Sequence, residues 1–191
     1  MARFPDLGTS TTVPDILKRS PEAGAALMEL HEEVMRSDSP LSQGERELIA
    51  AYVSGLNECS YCYGVHSHTA MAYGYDEATL RALFDDPDGP LVEDRLKPLL
   101  SYVEKLTQRP SSVTDDDAKT CFDAGWSEQA LHDAIMVACT FNFMNRLLEG
   151  HGIHGYEDLY RERGPLLKKH GYRPLVRLLK PDAATRKSTA E

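Results

Sequence analysis

Along this chain, apolar residues recur at three- and four-residue spacing. No window alternates polar and apolar positions over a length useful to a strand, so the pattern predicts an all-α fold. The first thirteen residues show little periodicity. Ser20 and Pro21 mark a helix start, as N-cap and first-turn proline, and Ala26, Leu27, Leu30, Val34 and Met35 form its stripe until Ser37-Asp-Ser-Pro40 breaks it. Ser42-x-x-Glu45 is a capping box opening a helix with Leu48, Ile49, Tyr52, Val53 and Leu56 on its apolar face. The other face of that helix carries Glu47, Ala50, Ala51, Ser54 and Gly55, small enough to admit a neighbouring helix. A helix from Cys59 to Tyr73 follows, then one capped by Asp76 to about Phe84 and a loop over 85–90. Further helices are expected near Val92–Gln108 (shortened or bent by Pro98), from Thr114 to about Ala124, and from the Ser127 cap to about Gly150. Two shorter pieces, Tyr156–Arg163 and Leu166–Leu179, precede ten final residues expected to be disordered. The helix pair over 45–73 faintly resembles the pair around 115–150, which raises a two-helix internal repeat.

At 191 residues, 41% hydrophobic and 27% charged, the chain suits one helical domain with a real core. We divide it into an N-terminal arm (1–20), a helical domain (21–160) and a basic C-terminal tail (161–191). The net charge of −9 hides an asymmetry, with nine Lys/Arg against two acids over 161–187 and twelve against twenty-seven over 1–160. An acidic body without a basic-aromatic array argues against nucleic acid as a partner. The tail is expected to lie on the acidic body of its own or a neighbouring subunit, or to stay solvated. No apolar run reaches membrane-spanning length and the N-terminal segment has no apolar signal, so the expectation is a cytoplasmic protein without a membrane partner. There a Cys-x-x-Cys is catalytic or metal-binding sooner than a structural disulfide.

That pair is Cys59 and Cys62. On a helix turning about 100° per residue, Cys59, Cys62 and His66 share one stripe and His68 falls opposite. Cys59 would sit in the opening turn, where free N–H groups favour a thiolate. A thiolate attacks a peroxide O–O bond or a disulfide, and a second thiol in reach closes an internal disulfide. His66, one turn beyond Cys62, can take up the thiol proton, and Glu47 can orient the imidazole and hold its charge. Beside His66, Cys62 is expected to be the thiol with the lower pKa. Cys121 and Cys139 are expected to be packing residues, and His151 and His154 part of a helix C-cap.

The pattern Glu47-x11-Cys59-x-x-Cys62-x3-His66 resembles the active-site signature of the alkyl hydroperoxidase D (AhpD) and carboxymuconolactone decarboxylase-like family, in its peroxidase-related branch. Phe141-Asn-Phe-Met-Asn145-Arg146-Leu is similar to a late-helix segment of that branch, and the likeness covers roughly residues 40–155. The resemblance implies an all-helical fold, homo-oligomers (trimers or hexamers), and thiol-dependent peroxidase or disulfide-reductase activity on a hydroperoxide or disulfide. It implies a thiol electron donor of lipoyl type and no bound cofactor. It also implies that Cys62 attacks peroxide and Cys59 resolves it. Family members without the cysteines act as decarboxylases. Tyr61 stands where well-studied members carry a second histidine, and a phenol is a poor base at neutral pH.

Rival readings are a disulfide reductase with little peroxidase activity, a non-catalytic oligomeric scaffold, and a structural zinc module using Cys59, Cys62, His66 and His68. Residue 63 is Tyr, not the His that c-type haem attachment needs.

Overall fold

The structure, a computed structural model, describes residues 3–8 and 11–180. Among them the chain forms ten α-helices and no strand: α1 Val13–Leu17, α2 Pro21–Arg36, α3 Gln43–Leu56, α4 Ser60–Ala72, α5 Glu77–Asp85, α6 Leu96–Gln108, α7 Asp115–Asp123, α8 Glu128–His151, α9 Glu157–His170 and α10 Arg173–Leu179. The expected all-α fold is the one observed. Half of the starts carry a side-chain cap or capping box. Ser42 Oγ accepts from the Glu45 N–H (3.1 Å) while Glu45 Oε2 accepts from the Ser42 N–H (2.7 Å). Asp76 and Ser127 accept from the amides of Thr79 and Ala130.

Three elements differ from the sequence reading. The periodicity missed α1, which is five residues long and built on a Thr12/Asp15 capping box with Pro14 in its first turn. Helix α6 starts at Leu96 instead of Val92, which puts Pro98 in the opening turn, where a missing N–H costs nothing. The two expected C-terminal pieces meet in α9, which runs through Pro165 to His170 and breaks at Gly171 (φ 60°). The expected disorder of the last ten residues lies outside the described residues.

Helix α3 is the axis of the fold. Every residue from Gly44 to Ser54 is buried, with α4 along one side and α8 and α6 around the rest. Helix α9 covers the outer side of α4 at close range. A Cβ at Gly164 would lie 2.7 Å from the His68 backbone carbon, so the two helices meet across a glycine. Helix α2 lies between α10 and α8.

The boundary drawn at residue 160 falls inside α9. Up to Lys180 the basic segment folds onto its own acidic body, with Arg173 on Glu32 (2.9 Å) and Lys180 near Glu22 and Glu29 (3.5 and 3.9 Å). Helix α7 packs chiefly on α6 and little on α8, so the faint likeness of the two helix pairs does not extend to packing.

Candidate active site

Glu58, with φ 54°, turns the chain out of α3 and makes Cys59 the N-cap of α4. The Cys59 N–H bonds Ser54 O (2.9 Å), which fixes the residue against the end of α3. Cys59 and Cys62 are both free thiols, 0% and 3% exposed. A side-chain hydrogen bond between the two thiols is the largest influence on both. That bond, with help from the Cys62 amide, lowers the Cys59 pKa against its burial and against the Glu149 carboxylate nearby. The same bond and near-complete burial raise Cys62 well above the usual thiol range, while the Asn145 amide pulls the other way. In the resting dithiol the order is therefore the reverse of the one expected from the spacing. The helix start and the neighbouring thiol serve Cys59, whereas His66 shows no hydrogen bond to Cys62 among the described residues.

The imidazole does meet Glu47. His66 Nδ1 donates to Glu47 Oε2 (2.6 Å), and Arg36 Nη2 donates to Glu47 Oε1 (2.6 Å) and to Leu167 O (3.2 Å). Full burial pushes the Glu47 carboxyl up, but His66 and Arg36 outweigh it and hold the group below the ordinary glutamate range. With Nδ1 committed to Glu47, Nε2 is the ring nitrogen left to exchange a proton.

His66 and Cys62 share the wall of a cavity of about 250 Å³, whose lining is mostly apolar and includes Phe141 and Met144. Tyr61 lines it too, and burial pushes its hydroxyl up to about 12, so it stays a donor. Cys59 lies instead beneath a separate surface depression lined also by Glu58, Tyr63 and Phe84.

Of the four residues singled out from sequence, the structure thus joins Glu47 to His66, sets Cys59 and Cys62 in the opening turn of α4, and places Cys62 and His66 on one cavity. Sequence reasoning missed Arg36, Asn145 as a thiol neighbour, Glu149, and the cavity residues His31 and Tyr172. His68 takes Gly64 O (2.9 Å) and Glu157 (3.4 Å) as partners, away from the thiols. Among the described residues no three His, Cys, Asp or Glu side chains are placed to hold a metal ion, so the four-ligand zinc reading lacks its geometry. Cys121 is buried as expected, its Sγ 3.5 Å from Pro98 O, but Cys139, on α8, is exposed, not a buried packing residue. His151 Nδ1 bonds Leu147 O (2.7 Å) ahead of the left-handed Gly152 C-cap.

Paired thiols buried at a helix start, with an imidazole–carboxylate pair on the neighbouring turns, sit on an all-helical scaffold similar to that of AhpD-like proteins. The model of the carboxymuconolactone decarboxylase family matches residues 21–87. The chain is similar to the AhpD-core, uncharacterized peroxidase-related protein of Ralstonia eutropha JMP134 (TM-score 0.72, 20% identity, 86% of this chain and 96% of that one). It is also similar to an Agrobacterium tumefaciens protein of unknown function proposed for AhpD-type antioxidant defence (TM-score 0.68, 24% identity, 77% of this chain and 100% of that one). The uncharacterized protein YdfG of Bacillus subtilis is 24% identical over 128 residues, 67% of this chain and 86% of its own length. The family match thus concerns residues 21–87, and the likeness to the solved structures shows a shared all-helical fold. No helix among the described residues is long and apolar enough to cross a membrane.

Proposed function

We propose that the protein is a thiol-dependent peroxidase that reduces a hydroperoxide at Cys62 and closes a Cys59–Cys62 disulfide. The observation that carries this reading is the division of the two sulfurs: Cys62 faces the cavity shared with His66, while Cys59 is the N-cap and the readier thiolate. A hydroperoxide in the cavity meets Cys62, whose proton passes to His66 Nε2 while Glu47 and Arg36 hold the resulting charge. The thiolate attacks the terminal oxygen, the O–O bond breaks, and the departing alkoxide takes the proton from His66 as an alcohol. Cys59 then attacks the sulfenic acid on Cys62, the S–S bond forms and water leaves. The balance is ROOH plus two thiols to ROH, water and a disulfide. A dithiol donor of lipoyl type, reaching Cys59 through its own depression, would restore the pair. The Ralstonia and Agrobacterium relatives are described as peroxidase-related and as a candidate for antioxidant defence, which supports the same reaction class. We also propose a cytoplasmic homo-oligomer, a trimer or hexamer.

Single-turnover assays test the roles. Cys62→Ser is expected to abolish hydroperoxide consumption, and Cys59→Ser to allow one turnover and leave a sulfenic acid on Cys62. Replacing His66 or Glu47 is expected to slow the reaction by roughly 10²–10⁴-fold. A dead Cys59→Ser beside a Cys62→Ser that keeps its first turnover would exchange the two sulfurs.

A further inference from the structure

Two residues that line the cavity each carry a buried polar atom without a partner among the described residues: Nε2 of His31, from α2, and the hydroxyl of Tyr172, just ahead of α10. Both side chains are buried, 1% and 5% exposed, and their rings lie 5.2 Å apart. Phe141 joins them to the thiol side of the cavity, packing edge-on against His31 (5.7 Å) and His66 (4.4 Å). An unmet polar atom at that depth is unfavourable, so a group that satisfies both atoms is favoured there.

The chemistry of the missing group follows from the protons. His31 Nδ1 lies 2.8 Å from Leu27 O, a carbonyl that can only accept, so Nδ1 carries the hydrogen and Nε2 is an acceptor. Burial supports the neutral ring, holding the His31 pKa at about 4. Tyr172 is pushed well above its ordinary value by burial and by the charge of Glu47, so its hydroxyl stays protonated and can donate. The pair thus offers one acceptor and one donor, with Cys62 on the same wall. A hydroperoxide head matches both: its O–H donates and its oxygens accept. The alcohol it becomes matches both as well. Met28, Phe141, Met144 and Leu166 give an apolar tail most of the lining, with Arg163 and His170 as its charged or titratable members.

We propose that His31 and Tyr172 are positioning residues that hold the O–O–H group of an apolar-tailed organic hydroperoxide against Cys62, His31 accepting from the terminal O–H and Tyr172 donating to the oxygen beside the tail. This rests on the peroxidase reading for its reaction. As a binding site it stands apart from that reading.

The test pairs a reaction with a binding measurement on the reduced full chain. Cumene hydroperoxide is the substrate, 2-phenyl-2-propanol the inert mimic, and iodoacetamide alkylation of Cys62, read by mass spectrometry, the report on the thiol. His31→Phe and Tyr172→Phe are expected to slow hydroperoxide-driven loss of the Cys62 thiol about tenfold or more, the worth of one hydrogen bond to the reacting oxygens. Alkylation without the alcohol should stay within about twofold of wild type, and His31→Gln, which restores an acceptor, should recover part of the rate. The alcohol should protect Cys62 from alkylation in the wild type and lose that effect in both Phe variants. Protection that depends on His31 and Tyr172 in a wild type that consumes no hydroperoxide would overturn the peroxidase reading and keep the site. Variant rates within twofold of wild type, hydroperoxide and alkylation rates falling together, or alcohol protection unchanged in Tyr172→Phe would each overturn the proposal.

Discussion

A carboxylate with no exposed surface survives as an ion only if its charge is met, and at Glu47 it is met twice, by His66 and Arg36. The same burial acts on His31 with nothing to oppose it fully, and the consequence is a pH dependence. Its pKa falls from 6.5 to about 4 in the folded chain, so on acidification the unfolded chain takes the proton first. Stability is therefore expected to decline as pH falls from about 6.5 to about 4, by about 3 kcal/mol from this residue. Glu47, depressed below its ordinary 4.5, adds a loss that begins only under that value. Urea midpoints between pH 7 and 4 should show the first decline in the wild type and a flatter profile in His31→Phe. An unchanged slope would assign the acid sensitivity elsewhere. At this scale the sequence showed Glu47, Cys59, Cys62 and His66 because helical spacing within two adjacent helices carries them. Arg36, on another helix, gave no signal of its role. His31 and Tyr172, 141 residues apart, meet only through the packing of α10 on α2, which no local pattern encodes.

Helices were legible wherever a cap coincided with a clean apolar stripe, as at Ser42, Asp76 and Ser127. They were least legible where proline could be accommodated. Pro98 and Pro165 look alike as breakers, yet one opens α6 and the other sits within α9. Helix α9 matters because Leu166 and Leu167 wall the cavity and Leu167 O receives Arg36. Its seat on α4 depends on Gly164. Gly164→Ala would drive a Cβ into the His68 backbone and is expected to lower Tm and speed Cys62 alkylation by lifting α9 off the cavity. Gly150→Ala is the control: nothing lies within 4 Å, and alanine inside a helix should add up to roughly 1 kcal/mol. Equal effects from the two substitutions would contradict close α4–α9 packing as the cause.

Over the whole molecule, the sequence showed an acidic body and a basic end, and the structure brings part of them together through Arg173 and Lys180. That leaves Phe143, Tyr156 and Leu178 at least half exposed on the surface. We propose that a second copy covers such residues, and light scattering at micromolar concentration should report at least two chains per particle. A clean monomer would remove the oligomer from the account and leave the cavity chemistry as it stands.

The most direct measurement of the central claim is peptide mapping of the full chain after mild treatment with cumene hydroperoxide, under conditions that trap free thiols. The account predicts one linkage, Cys59 to Cys62 within a single chain, with Cys121 and Cys139 still free. Both motif thiols left reduced, or either one bonded to Cys121 or Cys139, would contradict it.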